Sequence, residues 1–360
     1  MRVTLLGPQR RPTLGAVAAS LGIDGPVATI TAGWQERESA DDELREVLGS
    51  RDVNLRLYQR WLDVLDRDTE FAAAERRLGE VLEQVQDVYL LRLDYALRAV
   101  YTISRHSDTR HSDTRPSISR HSDTRPSDTR PSDTRQSDLR HVDSRPGYSH
   151  RGDSRPRDQR QIDNGPFTAD ALSEAIAAVA ELDATHLRRV NGIRGEFYAR
   201  LTPHDRPVVA EHRAVIEGRL RDAAAVVIAG GHVGALADTL HLFNVAPLLR
   251  SPVIAWSAGA MALTDRIVLF GDRFPQGPGH PEVYGAGLSV LRGLVLLPHA
   301  RARLLLDDVP RMSVLARRLA PALCVPLENG TRLDADTDGS CPPGTAVLAQ
   351  DGRVTNLAAA

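Results

Sequence analysis

Eight consecutive apolar or small residues, AAAVVIAG at 223–230, leave this chain few folds to adopt. A strand with polar residues at alternate positions can face water on one side. This run cannot, so both of its faces must be covered, which is the habit of a parallel sheet sheltered between helices. Residues 3–7, 27–31 and 251–256 read as further buried strands, and 12–21, 41–49 and 234–242 as helices between strands. Residues 53–58 read as a third early strand. Residues 266–270, 293–297, 323–327, 331–333 and 346–354 read as later strands, with a turn at Asp351-Gly352, and 311–319 as a helix. The expected fold class is α/β, a mostly parallel sheet sandwiched by helices.

The alternation of strand and helix is interrupted. Residues 70–101 form one long amphipathic stretch, with Leu78, Val81, Leu82, Val85, Val88 and Tyr89 at helical spacing. From 105 to 163 arginine recurs at every fifth residue, Arg105 through Arg145, in a unit close to Arg-Pro/His-Ser-Asp-Thr. A period of five suits neither helix nor strand. Almost no apolar side chain is present to offset the entropy of ordering, so this segment is expected to be disordered. Its arginines alternate with aspartates and leave little net field. A solvated tandem expansion therefore fits better than a charged arm for an acidic or RNA partner. Helical patterning resumes over 168–198, with Leu172, Ile176, Val179, Leu182 and Leu187 on one face, and again over 204–220. The expected organisation is 1–66 as the first part of an α/β domain, 67–104 as an inserted helix, 105–163 as the repeat, 164–222 as inserted helices, and 223–360 as the second part of the α/β domain, carrying the chemistry. Three uses of the inserted hairpin stay open: a dimerisation surface giving a homodimer, a lid, or a packed decoration.

The segment SPVIAWSAGAM at 251–261 runs from a buried strand straight into a helix, with Ser257 at the join. A serine there sits on a sharp turn with its hydroxyl projecting from the sheet edge, before a helix N-terminus with unpaired N–H groups. The turn needs small neighbours, and Ala255 and Gly259 stand two positions to either side. Gly230-Gly231-His232 directly follows the apolar run. Its glycines let the backbone approach a ligand, so Gly231 is a candidate half of an oxyanion hole, with the N–H of Ala258 as the other half. His299, at the end of the strand in LVLLPHA, is the candidate general base, because strand C-termini gather on one edge of an open sheet. His232 is a further candidate base, and His280 in PQGPGHPE reads as a rim or specificity residue. Glu328, at a strand end in VPLENGTRL, is the candidate acid, with Asp272 in FGDRF the alternative. Chain order alone does not choose between them.

Together these pieces resemble the S51 serine peptidases, which include dipeptidase E and cyanophycinase and share the class I glutamine amidotransferase-like fold. The resemblance rests on the Gly230-Gly231 turn, the WSAGA elbow at 256–260, Pro298-His299, and Glu328 with Thr331 and Leu333 behind it. It implies Ser257 as nucleophile, His299 as base, and Glu328 or Asp272 as the orienting acid, Glu328 having the simpler strand-end geometry. It implies a small peptide or isopeptide substrate and calls for no metal or cofactor. Serine in place of cysteine at the elbow argues against a glutaminase. Met261 stands where dipeptidase E-like elbows carry Asn, and His232 where they carry a Gly- or Asn-like residue, so both are candidate substrate contacts that depart from the family pattern. Arg301 and Arg303 resemble an arginine-bearing stretch of cyanophycinases and are candidates to hold a substrate carboxylate, although a solvated helix face accounts for them too. A non-catalytic binding or assembly module of the same fold, and an esterase or amidase on the same triad, are the competing readings.

Composition narrows the partners. Lys+Arg number 45 against 47 Asp+Glu, a net charge of -2, which gives no reason to expect a nucleic acid or an anionic membrane. Every fixed basic residue is arginine, which excludes Schiff-base and Walker-type lysines. The two cysteines, Cys324 and Cys341, have no metal-ligand spacing and fit a reduced, cytoplasmic protein. MRVTLLG is too short an apolar run for a signal peptide, and no run approaches the ~20 apolar residues of a membrane span.

Overall fold

The computed structural model describes residues 1–9, 13–111, 165–270 and 280–358. In chain order these form strand β1 (Val3–Leu6), helix α1 (Leu14–Ser20), β2 (Val27–Ile30), α2 (Asp42–Leu48) and β3 (Asp52–Asn54). Four helices follow: α3 (Leu57–Arg67), α4 (Thr69–His111), α5 (Gly165–Leu201) and α6 (Pro207–Asp222). Then come β4 (Ala225–Ile228), α7 (Val233–Leu242), β5 (Val253–Trp256), α8 (Ala258–Ala262), β6 (Ile267–Leu269), β7 (Glu282–Gly285) and β8 (Leu294–Pro298). The chain ends through α9 (Ala300–Arg303), α10 (Val309–Leu319), β9 (Leu323–Leu327), β10 (Arg332–Ala335), β11 (Ala346–Leu348) and β12 (Val354–Asn356).

The apolar runs go where their composition requires. β1, β2, β4 and β5 are buried at every residue and pair in parallel. With β3 and an antiparallel edge strand, β10, they make a six-stranded sheet in the order β10-β1-β5-β4-β2-β3. Each fully buried Val, Leu or Ile stabilises the fold by roughly 1.5–3 kcal/mol, so these strands carry much of the core. The chain is thus a mixed α/β protein whose central sheet is parallel except at the β10 edge.

Several local expectations change. The strand expected over 53–58 stops at Asn54, and residues 57–67 are helix. The cause is Glu38, a buried carboxylate that accepts the amides of Tyr58 (3.1 Å) and Gln59 (2.8 Å) and so caps α3 from a distant part of the chain. β8 and β9 do not join the central sheet. They pair with each other in parallel and form a second sheet in the order β12-β11-β9-β8. β7, which no alternation announces, forms by antiparallel pairing with β6. Helix α4 runs on to His111, into the first units of the five-residue repeat. The first proline of the repeat is Pro116, so no proline interrupts the helix up to His111. Residues 112–164, the rest of the repeat, lie outside the described residues.

Helices α4 and α5 pack along each other as a hairpin, and α5 also meets β7 and α10. A buried ion pair, Arg318–Asp183, links the hairpin to α10. Among the described residues no helix is long and apolar enough to cross a membrane. Cys324 and Cys341 are free thiols, and burial pushes the Cys324 thiol up to about 12, which suits core filler rather than a nucleophile.

One half-buried acid on the hairpin makes stability depend on pH. Burial pushes the carboxyl of Glu75 up to about 7, although Trp61 Nε1 donates to it at 2.7 Å. The folded state therefore favours the protonated form. The unfolded chain ionises near 4.5, so stability falls as pH rises from there through about 7 and is then constant. Glu75→Gln keeps an acceptor for Trp61 and removes the ionisation. In urea unfolding its advantage over wild type is expected to widen from pH 5 to pH 8 by up to about 3 kcal/mol. A pH-independent difference would contradict this origin.

Candidate active site

Register decides which loops meet. Leu6 pairs with Trp256, Ile228 with Ala255, and Ile30 with Ile228. The carboxyl ends of β1, β5, β4 and β2 therefore finish nearly level. Gly7-Pro8-Gln9, Ser257, Gly230-Gly231 and Gly33-Trp34 leave the sheet side by side, at the edge where parallel sheets bind ligands.

Ser257 has φ 49 and ψ -121. A non-glycine residue held there costs of order 1–3 kcal/mol, so its surroundings must impose the conformation. They do so by crowding. α8 starts at the next residue and lies so close to β4 that a Cβ on Gly259 would stand 2.3 Å from Ile228 O. A Cβ on Gly230 would stand 2.9 Å from the Cβ of Ser257. Gly231, at φ 126, would place one 2.3 Å from Gly33 O. The small residues around the serine are thus steric requirements of the turn. Among the described residues, no backbone carbonyl accepts from the N–H of Gly231 or of Ala258.

The glycine turn is supported from behind. His232 N–H donates to Gly33 O at 2.7 Å. The chain around Gly33 is anchored by Asn54, whose Nδ2 donates to Thr31 Oγ1 (3.0 Å) and to Asp41 Oδ2 (2.8 Å).

His299 arrives from the second sheet. It follows β8 in a left-handed conformation, φ 57 and ψ 34, and its amide donates to Leu327 O at 3.1 Å. Pro298 pairs with Leu327, so His299 and Glu328 occupy matching positions one residue past two parallel strands. Glu328 Oε1 accepts from the backbone N–H of Arg301 at 2.7 Å, in the first turn of α9. The turn from Glu328 to Thr331 stitches the sheets together. Gly7 N–H donates to Thr331 O at 2.8 Å, and a Cβ on Gly7 would stand 1.7 Å from Glu328 O.

Two cavities, of about 410 and 490 Å³, open at this edge. The first is walled by Gln9, Leu14, Trp34, Glu43 and Trp256. The second is walled by His232, Met261, Phe270, Glu282, Tyr284 and Arg303. Gly231, Ser257 and His299 line both. These three residues form the waist of a two-lobed cleft.

The remaining candidates fall in different places. Met261 is a buried residue of α8 and contributes to the second lobe. Arg303 lies over the Phe270 ring, 5.9 Å from its centre, in the same lobe. Arg301 and Glu328 instead line a separate cavity of about 730 Å³. His232 Nδ1 accepts from Ala235 N–H at 3.1 Å and so caps α7, and His232 also lines the second lobe. His280 stacks on Tyr101 of α4 at 5.4 Å and is not among the described residues lining either lobe. Asp272 lies outside the described residues. Trp34, Glu282 and Tyr284 are cleft residues that motif reading passes over. Trp34 follows a strand end, as Ser257 and Gly230 do, and that placement is signal enough. Nothing in the sequence marks β7 and its two side chains.

No family model matches the chain, and no curated protein matches it. Among solved structures, the crystal structure of a peptidase from an acI-B1 Actinobacterium is similar over 52% of this chain and 89% of that chain, at 16% identity and a TM-score of 0.27. A likeness of that size decides neither fold nor activity.

The crowded turn has a measurable cost. Ser257→Gly is expected to raise unfolding stability by about 1 kcal/mol, because glycine tolerates φ 49. Gly231→Ala is expected to lower it by about 2–4 kcal/mol, because its Cβ would meet the Gly33 backbone. Urea unfolding of both variants checks this. A Ser257→Gly variant no more stable than wild type would show that the serine is not strained.

Proposed function

We propose that this chain is a serine hydrolase of the amidotransferase-like, S51 type that cleaves small peptides or isopeptides. The observation that carries this reading is the waist of the cleft: a strained strand-to-helix serine, a strand-end histidine and a glycine turn line both lobes. A substrate that spans the lobes presents its scissile carbonyl at the waist. Ser257 Oγ attacks that carbon while His299 takes the hydroxyl proton. The N–H groups of Gly231 and Ala258 donate to the oxyanion as it forms. His299 then protonates the leaving amine, and water attacks the acyl-serine through the same steps in reverse. Glu328, one residue past the strand beside that of His299, is the acid that orients the imidazole in this reading, with Asp272 as the alternative. Two lobes of 410 and 490 Å³ hold a residue or two each, which favours short peptides.

Treatment with diisopropyl fluorophosphate and peptide mapping tests the nucleophile. One adduct per chain is expected on Ser257, absent from Ser257→Ala, with labelling of His299→Ala slowed by roughly 10²–10⁴-fold. An adduct on another residue, or equal labelling of Ser257→Ala, would overturn the assignment.

A further inference from the structure

A buried polar cluster behind β7 takes no part in the chemistry proposed above. Arg318 of α10 is 3% exposed. Its Nε and Nη2 donate to the two carboxylate oxygens of Asp183 on α5, at 2.6 and 2.8 Å. Nη1 donates to Pro281 O at 2.7 Å, and Nη2 also reaches Tyr89 Oη on α4 at 3.1 Å. Tyr89 Oη donates to Asp183 Oδ1 at 2.8 Å and accepts from Val283 N–H at 3.0 Å, while its ring stacks on His186 at 4.0 Å. Gln86 Nε2 donates to Val283 O at 3.4 Å. Side chains of α4 and α10 thus close on Val283 of β7 and on Pro281 just before it, with Asp183 of α5 tying them together.

Apolar packing would hold α4 on α5 without this cluster. A buried ion pair is costly to desolvate, and replacing one by apolar residues is often neutral or stabilising. What the cluster adds is a grip on backbone groups at Pro281 and Val283, the two neighbours of Glu282. Alternation along β7 then puts Val283 on one face and Glu282 and Tyr284 on the other. Val283 belongs to the apolar cluster of the hairpin, whereas Glu282 and Tyr284 line the second lobe of the cleft. Tyr284 Oη also reaches the first turn of α7, where a Cβ on Gly234 would stand 2.6 Å from it. That turn begins at the glycines beside Ser257.

We infer that Glu282 and Tyr284 are specificity-determining residues of the cleft, and that the helical insertion positions them through Arg318, Asp183 and Tyr89. The inference rests on the serine-hydrolase reading. A carboxyl, a phenol and the Arg303 guanidinium in one lobe suit a hydrogen-bonding residue of a short peptide better than an aliphatic one. The hairpin is then part of the substrate site rather than a decoration.

Tyr89→Phe tests this, because it keeps the ring on His186 and removes only the hydroxyl. Hydrogen exchange at the Val283 amide is expected to quicken by about tenfold or more, with exchange in β4 and β5 unchanged. Against a panel of dipeptides with polar and aliphatic side chains, KM for the polar dipeptide best cut by wild type is expected to rise about fivefold, with kcat within about threefold. Labelling by diisopropyl fluorophosphate, which occupies little more than the waist, stays within about twofold of wild type. If Tyr89→Phe does not fold, Gln86→Leu, which removes a single contact to Val283 O, is expected to shift exchange and KM in the same direction by smaller factors. Faster exchange with unchanged KM overturns the specificity role and leaves the serine-hydrolase reading standing. Unchanged exchange overturns the positioning role. A folded wild type that is neither labelled nor active on any dipeptide overturns the serine-hydrolase reading, and this inference with it.

Discussion

The serine and the glycine turn of the candidate site depend on four parallel strands ending level. β1, β5, β4 and β2, buried on both faces, pair in one parallel register, and that register brings a serine, a glycine pair and two loop starts to a single edge. The spacing is tight enough that small residues become obligatory. Gly259 lies under β4 carbonyls, Gly230 against the serine and Gly231 against Gly33. The strain at Ser257 is the local consequence of this crowding, and the apolar sheet is stable enough to hold it. The packing that stabilises the sheet thus also imposes the backbone conformation of Ser257.

The histidine depends on a different constraint. His299 belongs to the second sheet, and its position is only as good as the seam between the sheets. That seam is the turn from Glu328 to Thr331, which bonds to Gly7 at the end of β1 and leads into β10 on the edge of the central sheet. The turn that carries Glu328 therefore also bears on the distance between His299 and Ser257. A change at Gly7 or Thr331 acts on the site through this geometry without touching a reacting atom.

Much of the central sheet is legible in the sequence, because a strand buried on both faces has an unmistakable composition. Ser257, Gly231 and His299 are legible for a related reason: each follows such a strand. What escapes is set by partners distant in the chain. Residues 57–67 become helix because Glu38 caps them. β8 and β9 form a sheet of their own because they pair with each other and not with β1. β7 exists because β6 and the hairpin hold it, and with it come Glu282 and Tyr284, which no local pattern reveals. His232 reads as a candidate base, yet its Nδ1 is committed to capping α7.

The central claim is that this edge of the sheet breaks amide bonds through Ser257. Its most direct test is hydrolysis of a panel of Asp-X dipeptides, β-aspartyl dipeptides and simple esters by wild type and Ser257→Ala side by side. The account predicts cleavage of at least one short amide by wild type, reduced by about 10³-fold or more in the variant. Equal rates for the two proteins, or cleavage of esters alone, would contradict it.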